Sequence, residues 1–278
     1  MGNKQGEVIS NAEYRSRDGV SSTELKRIAI SPLHYKYWKE HPQESDTPAL
    51  LFGRGAHKYI LETDSFFEEF SVMPICDRRT KDGKAIYEKF VEDSKGKDVI
   101  SHDDFEKIKA MKEAMDKTPF VKRLLDGEHE KSFFWTDKET GIKCKVRPDS
   151  FNEQLGVIID YKTCQSAEPR KFMNKSIDLN YDLQAAFYCD GLKENIGKDF
   201  KFVFLAQEKT APYAVAVYEC SEEYIRSGTD MYKSMLRTYK KCTETGNWYS
   251  YMGENPEILS LNVPVWLQNL YGESEDFE

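Results

Sequence analysis

Two charged residues lie in an apolar segment near the middle of the chain. The segment VIIDYKT is rich in β-branched and aromatic residues, which predicts a buried strand, yet it contains Asp160 and Lys162. Side chains two positions apart in a strand point to the same face, so this carboxylate and this ammonium group lie side by side. Asp149 precedes them in RPDSF and adds a second acid. Because burying an unpaired charge is costly, the pattern raises the question of what these charges do.

The two carboxylates are candidates for a divalent cation site. We expect Asp149 to end one strand of a hairpin and Asp160 to end its neighbour, and antiparallel neighbours lie about 5 Å apart. Carboxylates this close repel unless a cation lies between them, and oxygen ligands on rigid strands suit Mg²⁺, with Mn²⁺ as a substitute. The carbonyl oxygen of Tyr161 is a candidate further ligand. Lys162 would orient an attacking water and offset the transition-state charge, which is the chemistry of metal-assisted phosphodiester hydrolysis.

The same residues have a simpler interpretation. Asp160 and Lys162 can form a partly exposed ion pair at a strand end, with Asp149 as a turn residue. Spacing alone leaves both interpretations open, because an Asp-x-Lys triplet is common by chance.

Other segments contain further candidate site residues. In NYDLQAAFY, the spacing of Tyr181, Gln184 and Tyr188 places them on one helical face. The alternative is an amphipathic helix with half-buried tyrosines. His57 follows two glycines in LFGRGAHKYILE and is a candidate metal ligand, although a lone histidine is more often structural. Glu130, where we expect the hairpin to start, is either a further acidic ligand or a solvent-facing residue.

Basic residues concentrate locally in a chain that is acidic as a whole. The formal net charge is −8, from 40 basic and 48 acidic residues, which argues against non-specific coating of nucleic acid. It leaves room for an enzyme with a local basic groove. The candidate DNA-binding residues are Arg78, Arg79, Lys81 and Lys84 in DRRTKDGK, with Arg54 and Tyr181.

The elements that must position these residues follow from periodicity and from turn and cap residues. Helices are predicted in SSTELKRIAISPLHYKYWKE, with a break near Pro32, in TPALLFGRGAHKYILE and in SHDDFEKIKAMKEAMDKTPFVKRLLDG. A hairpin with KETG as its turn precedes the strand VIIDYKT. A helical crossover, two strands and a long closing helix follow. This order predicts an α/β fold with a central mixed β-sheet flanked by helices.

The chain organisation indicates one domain in a reducing compartment. We expect a single domain over residues 1–278, with a helical part at about 20–126, a sheet core at about 128–245 and an acidic tail at about 272–278. The six cysteines are scattered singly and show no metal-binding spacing, so free thiols are expected. With no signal-peptide pattern and no membrane-spanning apolar run, we expect a cytoplasmic protein.

These motifs together resemble a known group of enzymes. From ISNAEY to APYAVAVYEC the chain resembles the RecE-type exonucleases (exonuclease VIII) of the PD-(D/E)xK nuclease superfamily, which also includes lambda exonuclease and the RecB nuclease domain. Each short motif is weak alone, but their order and spacing make the resemblance specific. The matching positions are the motif histidine His57, the basic segment DRRTKDGK, the acidic position Glu130, the metal ligands Asp149 and Asp160, the catalytic lysine Lys162, and Gln184 and Tyr188 of the Q-x-x-x-Y helix.

The resemblance implies a PD-(D/E)xK nuclease fold and a Mg²⁺-dependent exonuclease acting on linear double-stranded DNA. Such enzymes degrade the 5′-ended strand, leave a 3′ single-stranded tail for recombination, and work with a RecT-type annealing protein. Members of this group form rings, commonly tetramers. Phages and prophages of bacteria often encode them. The alternatives are an endonuclease or single-strand nuclease of the same superfamily, or a catalytically silent DNA-binding scaffold.

Overall fold

The computed structural model describes residues 6–42 and 47–264 of the chain. The predicted acidic tail at 272–278 lies outside the described residues. No helix among the described residues is long and apolar enough to cross a bilayer. In chain order, the helices of the described residues are α1 (Asn11–Ser16), α2 (Ser22–Ile30), α3 (Pro32–Glu40), α4 (Pro48–Leu61), α5 (Phe66–Glu69), α6 (Lys81–Asp93), α7 (His102–Asp116), α8 (Pro119–Leu124), α9 (Pro169–Asp178), α10 (Tyr181–Ile196) and α11 (Glu222–Thr245), with a 3₁₀ helix at Thr63–Ser65.

The strands form one larger sheet and two pairs. They are β1 (Phe70–Val72), β2 (Asp98–Ile100), β3 (Glu128–His129), β4 (Phe133–Thr136), β5 (Lys143–Val146), β6 (Ser150–Asn152), β7 (Val157–Cys164), β8 (Lys201–Glu208) and β9 (Val215–Glu219). The larger sheet of the described residues has the order β3-β6-β7-β8-β9, while β1-β2 and β4-β5 pair separately. Only β7 and β8 are parallel neighbours in the five-stranded sheet.

The predicted α/β architecture with a central mixed sheet is confirmed. Strands β7 and β8 pair in parallel along their whole length, from Val157 opposite Lys201 to Cys164 opposite Glu208. A parallel pair needs a crossover connection, which α9 and α10 provide. Asn180, in the left-handed conformation with φ of +51°, joins these two helices and so directs α10 along the sheet.

Hydrophobic clusters cover both faces of the sheet. Ile158 and Phe204 pack in one cluster with residues of α2, α10 and α11, whereas Ile159 and Leu205 pack in the other with residues of α4 and α7. This division follows from the two-residue period of a strand, which sends neighbouring side chains to opposite faces. Strand β7 is therefore buried between two helical layers, and its apolar residues form a continuous run.

Helices α10 and α11 approach each other unusually closely. A Cβ atom added at Gly228 of α11 would overlap the backbone carbonyl oxygen of Asp182 in α10. Glycine is therefore required for this packing, which fixes α10 against the body of the protein.

Two helical predictions are refined by proline. Helix α2 ends at Ile30 and Ser31 caps α3, which begins with Pro32, so the predicted break is confirmed. The segment from His102 to Leu124 is two helices rather than one, because Pro119 lacks an N–H and disfavours helical geometry in the residue before it.

The predicted hairpin strands are confirmed, but two acidic residues that were expected in the hairpin lie outside it. Strands β4 and β5 pair antiparallel, but β5 ends at Val146, and Asp149 does not belong to the hairpin. Pro148 cannot donate a ladder hydrogen bond, so the chain leaves the hairpin there, and Asp149 directly precedes a new strand, β6, which pairs with β7. Glu130 does not begin a hairpin strand either. It lies between β3 and β4 with φ of +51°.

Candidate active site

Strand β7 brings an acid and a base into contact on one face of the sheet. The Nζ atom of Lys162 lies 2.5 Å from Oδ2 of Asp160, and only 3% of the Asp160 side chain is exposed. The other carboxylate oxygen, Oδ1, accepts a 2.5 Å hydrogen bond from Nε2 of Gln184 on α10. Asp160 is thus a buried carboxylate with an ammonium group on one side and a carboxamide on the other, rather than an exposed ion pair.

Asp149 reaches the same region from the start of β6. Its Oδ2 atom accepts a 2.7 Å hydrogen bond from the backbone N–H of Tyr161 on β7. The Nδ1 atom of His57 lies 3.4 Å from the same oxygen. The His57 ring also packs on the Tyr161 ring, with centroids 4.9 Å apart. Helix α4, the residue that precedes strand β6, and strand β7 therefore meet at this contact.

Helix α10 and helix α2 complete the opposite side of the site. Gln184 of α10 donates to Asp160 and accepts a 2.7 Å hydrogen bond from Nζ of Lys26 on α2. The Tyr181 ring lies beneath two ammonium groups, with its centroid 4.8 Å from Nζ of Lys26 and 4.9 Å from Nζ of Lys162. We refer to Asp149, Asp160, Lys162 and Gln184 as the acidic centre.

Burial and charge separate the protonation behaviour of the two aspartates. Burial raises the pKa of Asp160, and the neighbouring Asp149 carboxylate adds to this effect against the pull of Lys162. Burial also acts to raise the pKa of Asp149, but His57, Lys162 and the Tyr161 N–H together outweigh it and lower that pKa. The Asp149 carboxylate in turn raises the pKa of His57 despite its burial. The pKa values of the two aspartates therefore shift in opposite directions, and Asp149 ionises at a lower pH than Asp160.

The two lysines of the site have opposite shifts. Burial acts to lower the pKa of Lys162, but the Asp160 carboxylate beside it outweighs this and raises the pKa. Burial, together with the nearby charge of Lys162, lowers the pKa of Lys26 to about 7. Lys162 is therefore a permanent cation at neutral pH, whereas Lys26 is close to its titration midpoint.

Glu130 lies at the edge of this region and is held by its own cation. Its Oε2 atom is 2.7 Å from Nε of Arg147, and its backbone N–H donates to the carbonyl oxygen of Asp149. Burial raises the pKa of Glu130 to about 7, and the Asp149 charge contributes to the increase. The carboxylate is close enough to Asp149 to feel its charge, but it is paired with Arg147.

The donor chemistry of the centre suits a hard divalent cation. Asp149 and Asp160 supply carboxylate oxygens, and the Tyr161 carbonyl lies on the same side of β7 as the N–H that contacts Asp149. Within residues 6–42 and 47–264, however, no three His, Cys, Asp or Glu side chains are grouped as a metal site. The ammonium of Lys162 balances the charge of Asp160 in this arrangement. The donors therefore fit such a cation in kind.

Two further predicted residues make their described contacts with side chains outside the acidic centre. Arg54 of α4 forms an ion pair with Asp98 of β2, so it contacts the small β1-β2 sheet. The Tyr188 ring packs edge-on against Phe202, with centroids 6.1 Å apart, and its hydroxyl interacts with Ser22 at the start of α2. Burial raises the pKa of Tyr188 well above its usual value, and the Asp160 and Asp149 carboxylates add to the increase, so this hydroxyl lies near the acidic centre.

The predicted basic segment is exposed and has local contacts. Arg79, with 92% of its side chain exposed, pairs with Asp77 at 3.1 Å, and the Arg78 guanidinium lies 4.7 Å from the Tyr87 ring centroid. Lys81 and Lys84 belong to the first turns of α6. The contacts described for this segment do not join it to the acidic centre, and its role in DNA binding stays a prediction.

Two residues of the site were not predicted from the sequence. Lys26 was missed because a lysine within an amphipathic helix usually faces solvent, although its neighbours Leu25 and Ile28 are apolar and buried. Arg147 was also missed. Its position directly before Pro148 and Asp149 was the available signal, because it places a cation near that carboxylate.

The chain matches a described protein family over most of its length. A family model described as "PDDEXK-like domain of unknown function (DUF3799)" matches residues 21–259. The matched range contains Lys26, His57 and every residue of the acidic centre. No curated protein matches the chain.

Solved structures show a shared fold. A candidate exonuclease from Eubacterium rectale is similar with a TM-score of 0.62 at 15% identity, covering 95% of this chain and 98% of that chain. A phage-related exonuclease from Haemophilus somnus 129PT is 13% identical with a TM-score of 0.35, covering 84% of this chain and 100% of that chain. The first likeness shows the fold alone, and the second TM-score is too low to support an argument.

Proposed function

The chain belongs to the family described as PDDEXK-like domain of unknown function (DUF3799), and we propose that it is a metal-dependent exonuclease acting on linear double-stranded DNA. The observation that carries this proposal is the buried pairing of Lys162 with Asp160, beside a second carboxylate, Asp149. Two carboxylates and a lysine in this arrangement can supply what metal-assisted hydrolysis of a phosphodiester uses, a place for a cation and a fixed positive charge.

The residues of the centre have separate roles in the proposed reaction. Lys162 orients the attacking water and offsets the negative charge that develops on the phosphate in the transition state. Gln184 holds one oxygen of Asp160 at 2.5 Å, which leaves the other oxygen toward Lys162. His57 and the Tyr161 N–H hold Asp149 ionised, as the lowered pKa of that carboxyl indicates.

Mg²⁺ is the proposed cofactor, with Mn²⁺ as a substitute. Asp149, Asp160 and the carbonyl oxygen of Tyr161 would hold the ion, with His57 and Glu130 as candidates for a further ligand. When bound, such an ion polarises the phosphate and lowers the pKa of a bound water.

The finer assignment rests on the resemblance to RecE-type exonucleases. We infer degradation of the 5′-ended strand, release of duplex with 3′ single-stranded tails, and cooperation with a RecT-type annealing protein in recombination. A homo-oligomeric ring, with a tetramer favoured, would let basic residues such as Arg78 and Arg79 line a channel while the chain keeps its net charge of −8. A bacterial or phage-infected cytoplasm and a single nuclease domain are part of the same proposal.

End-labelled DNA tests the activity and its direction together. Linear duplex carrying a label at the 5′ or the 3′ end is incubated with the protein and MgCl₂, beside a covalently closed circle and an EDTA control. We expect early release of the 5′ label, an intact circle and no reaction in EDTA. Lys162→Met is expected to be inactive, and Lys36→Met, an exposed lysine of α3 paired with Glu40, is the matched control with parental activity.

Each other outcome identifies an alternative. Cutting of the closed circle would indicate an endonuclease of the same superfamily, and preferential cleavage of unpaired DNA would indicate a single-strand nuclease. DNA binding without cleavage in Mg²⁺ or Mn²⁺ would support a silent scaffold and contradict the proposal. Light scattering coupled to gel filtration gives the oligomeric state, and a monomer would contradict the ring.

A further inference from the structure

Lys26 makes a contact that connects helix α2 to the acidic centre. It is 158 residues away from Gln184 in the chain, yet its Nζ atom donates a 2.7 Å hydrogen bond to Oε1 of that side chain. The Nε2 group of the same carboxamide donates to Asp160 at 2.5 Å. The three side chains thus form a continuous line from α2 through α10 to β7.

The neighbours of the Gln184 carboxamide determine which of its two ends faces Asp160 and which faces Lys26. A glutamine side chain has an acceptor at one end and a donor at the other, and a rotation of 180° exchanges them. Asp160, as a carboxylate, requires the donor end, whereas the protonated amine of Lys26 requires the acceptor end. With both neighbours present only one orientation satisfies every group, because the reversed amide would place its oxygen against a carboxylate.

We propose that Lys26 is a positioning residue of the acidic centre, which acts by fixing the orientation of Gln184 and through it the placement of Asp160. This inference rests on the proposed nuclease function for its effect on rate. Lys26 is not one of the carboxylates or the lysine of the acidic centre. It lies on α2, more than a hundred positions before them in the chain.

The surroundings of Lys26 are consistent with this role. Its Nζ atom and that of Lys162 lie 4.8 and 4.9 Å from the centroid of one ring, Tyr181, so both side chains contact the same aromatic ring. Burial and the nearby charge of Lys162 together lower the pKa of Lys26 to about 7. A neutral amine still donates to Oε1 of Gln184, so Lys26 can hold the carboxamide without adding a full second charge beside Lys162.

A double-mutant cycle separates positioning from direct catalysis. The proteins are the parent, Lys26→Met, Gln184→Met, the double variant and the control Lys36→Met. Methionine keeps the length and apolar stem of the residues it replaces. Single-turnover cleavage at saturating duplex DNA gives the rate, and fluorescence anisotropy in EDTA gives DNA affinity.

We expect Lys26→Met to lower the cleavage rate about tenfold or more, the usual effect of removing a group that orients a metal ligand through a second residue. DNA affinity should change much less. The double variant should cleave no more slowly than Gln184→Met alone, because Lys26 acts only through Gln184. Effects that multiply in the double variant, or a parental rate for Lys26→Met, would overturn the inference.

A spectroscopic measurement keeps the inference independent of cleavage. The side-chain NH₂ resonances of Gln184 are assigned by their absence in Gln184→Met and then followed in Lys26→Met and Lys36→Met by ¹⁵N NMR. We expect them to move or broaden in Lys26→Met alone. Unchanged resonances would overturn the positioning role even if the parent is an active nuclease. A parent without nuclease activity would overturn the proposed function, while the resonances would still decide whether Lys26 fixes the carboxamide.

Discussion

Removal of Lys162 is expected to destabilise the fold as well as abolish cleavage. Its Nζ atom lies 2.5 Å from Oδ2 of Asp160, whose side chain is 3% exposed. In Lys162→Met, Asp160 keeps the carboxamide of Gln184 but loses its cation, while the Asp149 carboxylate remains close enough to raise its pKa. The variant therefore contains a buried carboxylate without a compensating charge.

The size of this effect follows from the burial of the pair. Removing one partner of a buried ion pair destabilises a protein by about 3–5 kcal/mol, because the remaining charge stays out of water. Replacing both partners by neutral groups of similar volume is often close to neutral. We therefore expect Lys162→Met to lower the free energy of unfolding by about 3 kcal/mol, and Asp160→Asn with Lys162→Met to recover most of that loss.

Urea unfolding at pH 7 in EDTA, followed by far-UV circular dichroism, measures these differences. Lys36→Met is the control for loss of an exposed lysine. A second series at pH 5 uses the raised pKa of Asp160. The folded-state pKa of this carboxyl lies above its ordinary value of 3.8, and loss of the Lys162 charge raises it further, so a lower pH favours the neutral carboxyl and reduces the penalty.

The expected pattern is a large loss for Lys162→Met at pH 7, a smaller loss at pH 5 and near-parental stability for the double variant. A Lys162→Met protein within about 1 kcal/mol of the parent at pH 7 would refute the reasoning, since surface pairs contribute no more than that. It would mean that Asp160 is solvated and that the pairing does not hold a buried charge.

Three other perturbations have expected outcomes. Gly228→Ala should lower the free energy of unfolding by about 3 kcal/mol in urea titrations, because the added Cβ overlaps the backbone of α10; an unchanged midpoint would contradict that packing. Arg78→Ala with Arg79→Ala should reduce the slope of log affinity for DNA against log salt by about 2 if both contact phosphates, and an equal slope would place them away from DNA. For metal-free protein, the lowered pKa of Asp149 gives stability that is lost as pH falls below 3.8, and the raised pKa of His57 gives stability that is lost as pH rises above 6.5. Unfolding midpoints of parent and His57→Ala should differ most between these limits, and a difference independent of pH would argue against the ion pair.

The buried charges of the site are compensated by neighbouring groups of opposite charge. Each carboxylate has at least one cation or N–H group within 3.4 Å: Lys162 for Asp160, His57 for Asp149 and Arg147 for Glu130. Burial strengthens every one of these interactions and equally penalises the loss of any partner. A substitution in this region is therefore expected to affect stability together with function.

Local sequence patterns were sufficient for the elements that carry the site. The apolar run VIIDYKT predicted a buried strand, and its two-residue period placed Asp160 and Lys162 on one face, as the structure shows. The 3.6-residue period likewise placed Tyr181 and Gln184 on one face of α10, where both lie beside Lys162 or Asp160. These relations depend only on the geometry of one strand or one helix.

Tertiary structure decided which elements meet. Asp149 was expected at the end of a hairpin strand, but the chain leaves the hairpin after β5, and a separate strand, β6, brings the carboxylate to the Tyr161 N–H. Arg54, a predicted DNA-binding residue, pairs with Asp98 of β2, 44 residues away, and its role at DNA stays a prediction. Local patterns do not specify such partners, because they depend on the packing of segments that are distant in the chain.

Lys26 shows the same division most clearly. The sequence by itself determined that α2 is an amphipathic, capped helix ending before Pro32. An exposed lysine and one held against a buried carboxamide look identical in sequence, since both occupy a polar position of such a helix. Only the packing of α2 on α10 brings Lys26 to Gln184, and burial at that contact then lowers its pKa and gives the residue its proposed role.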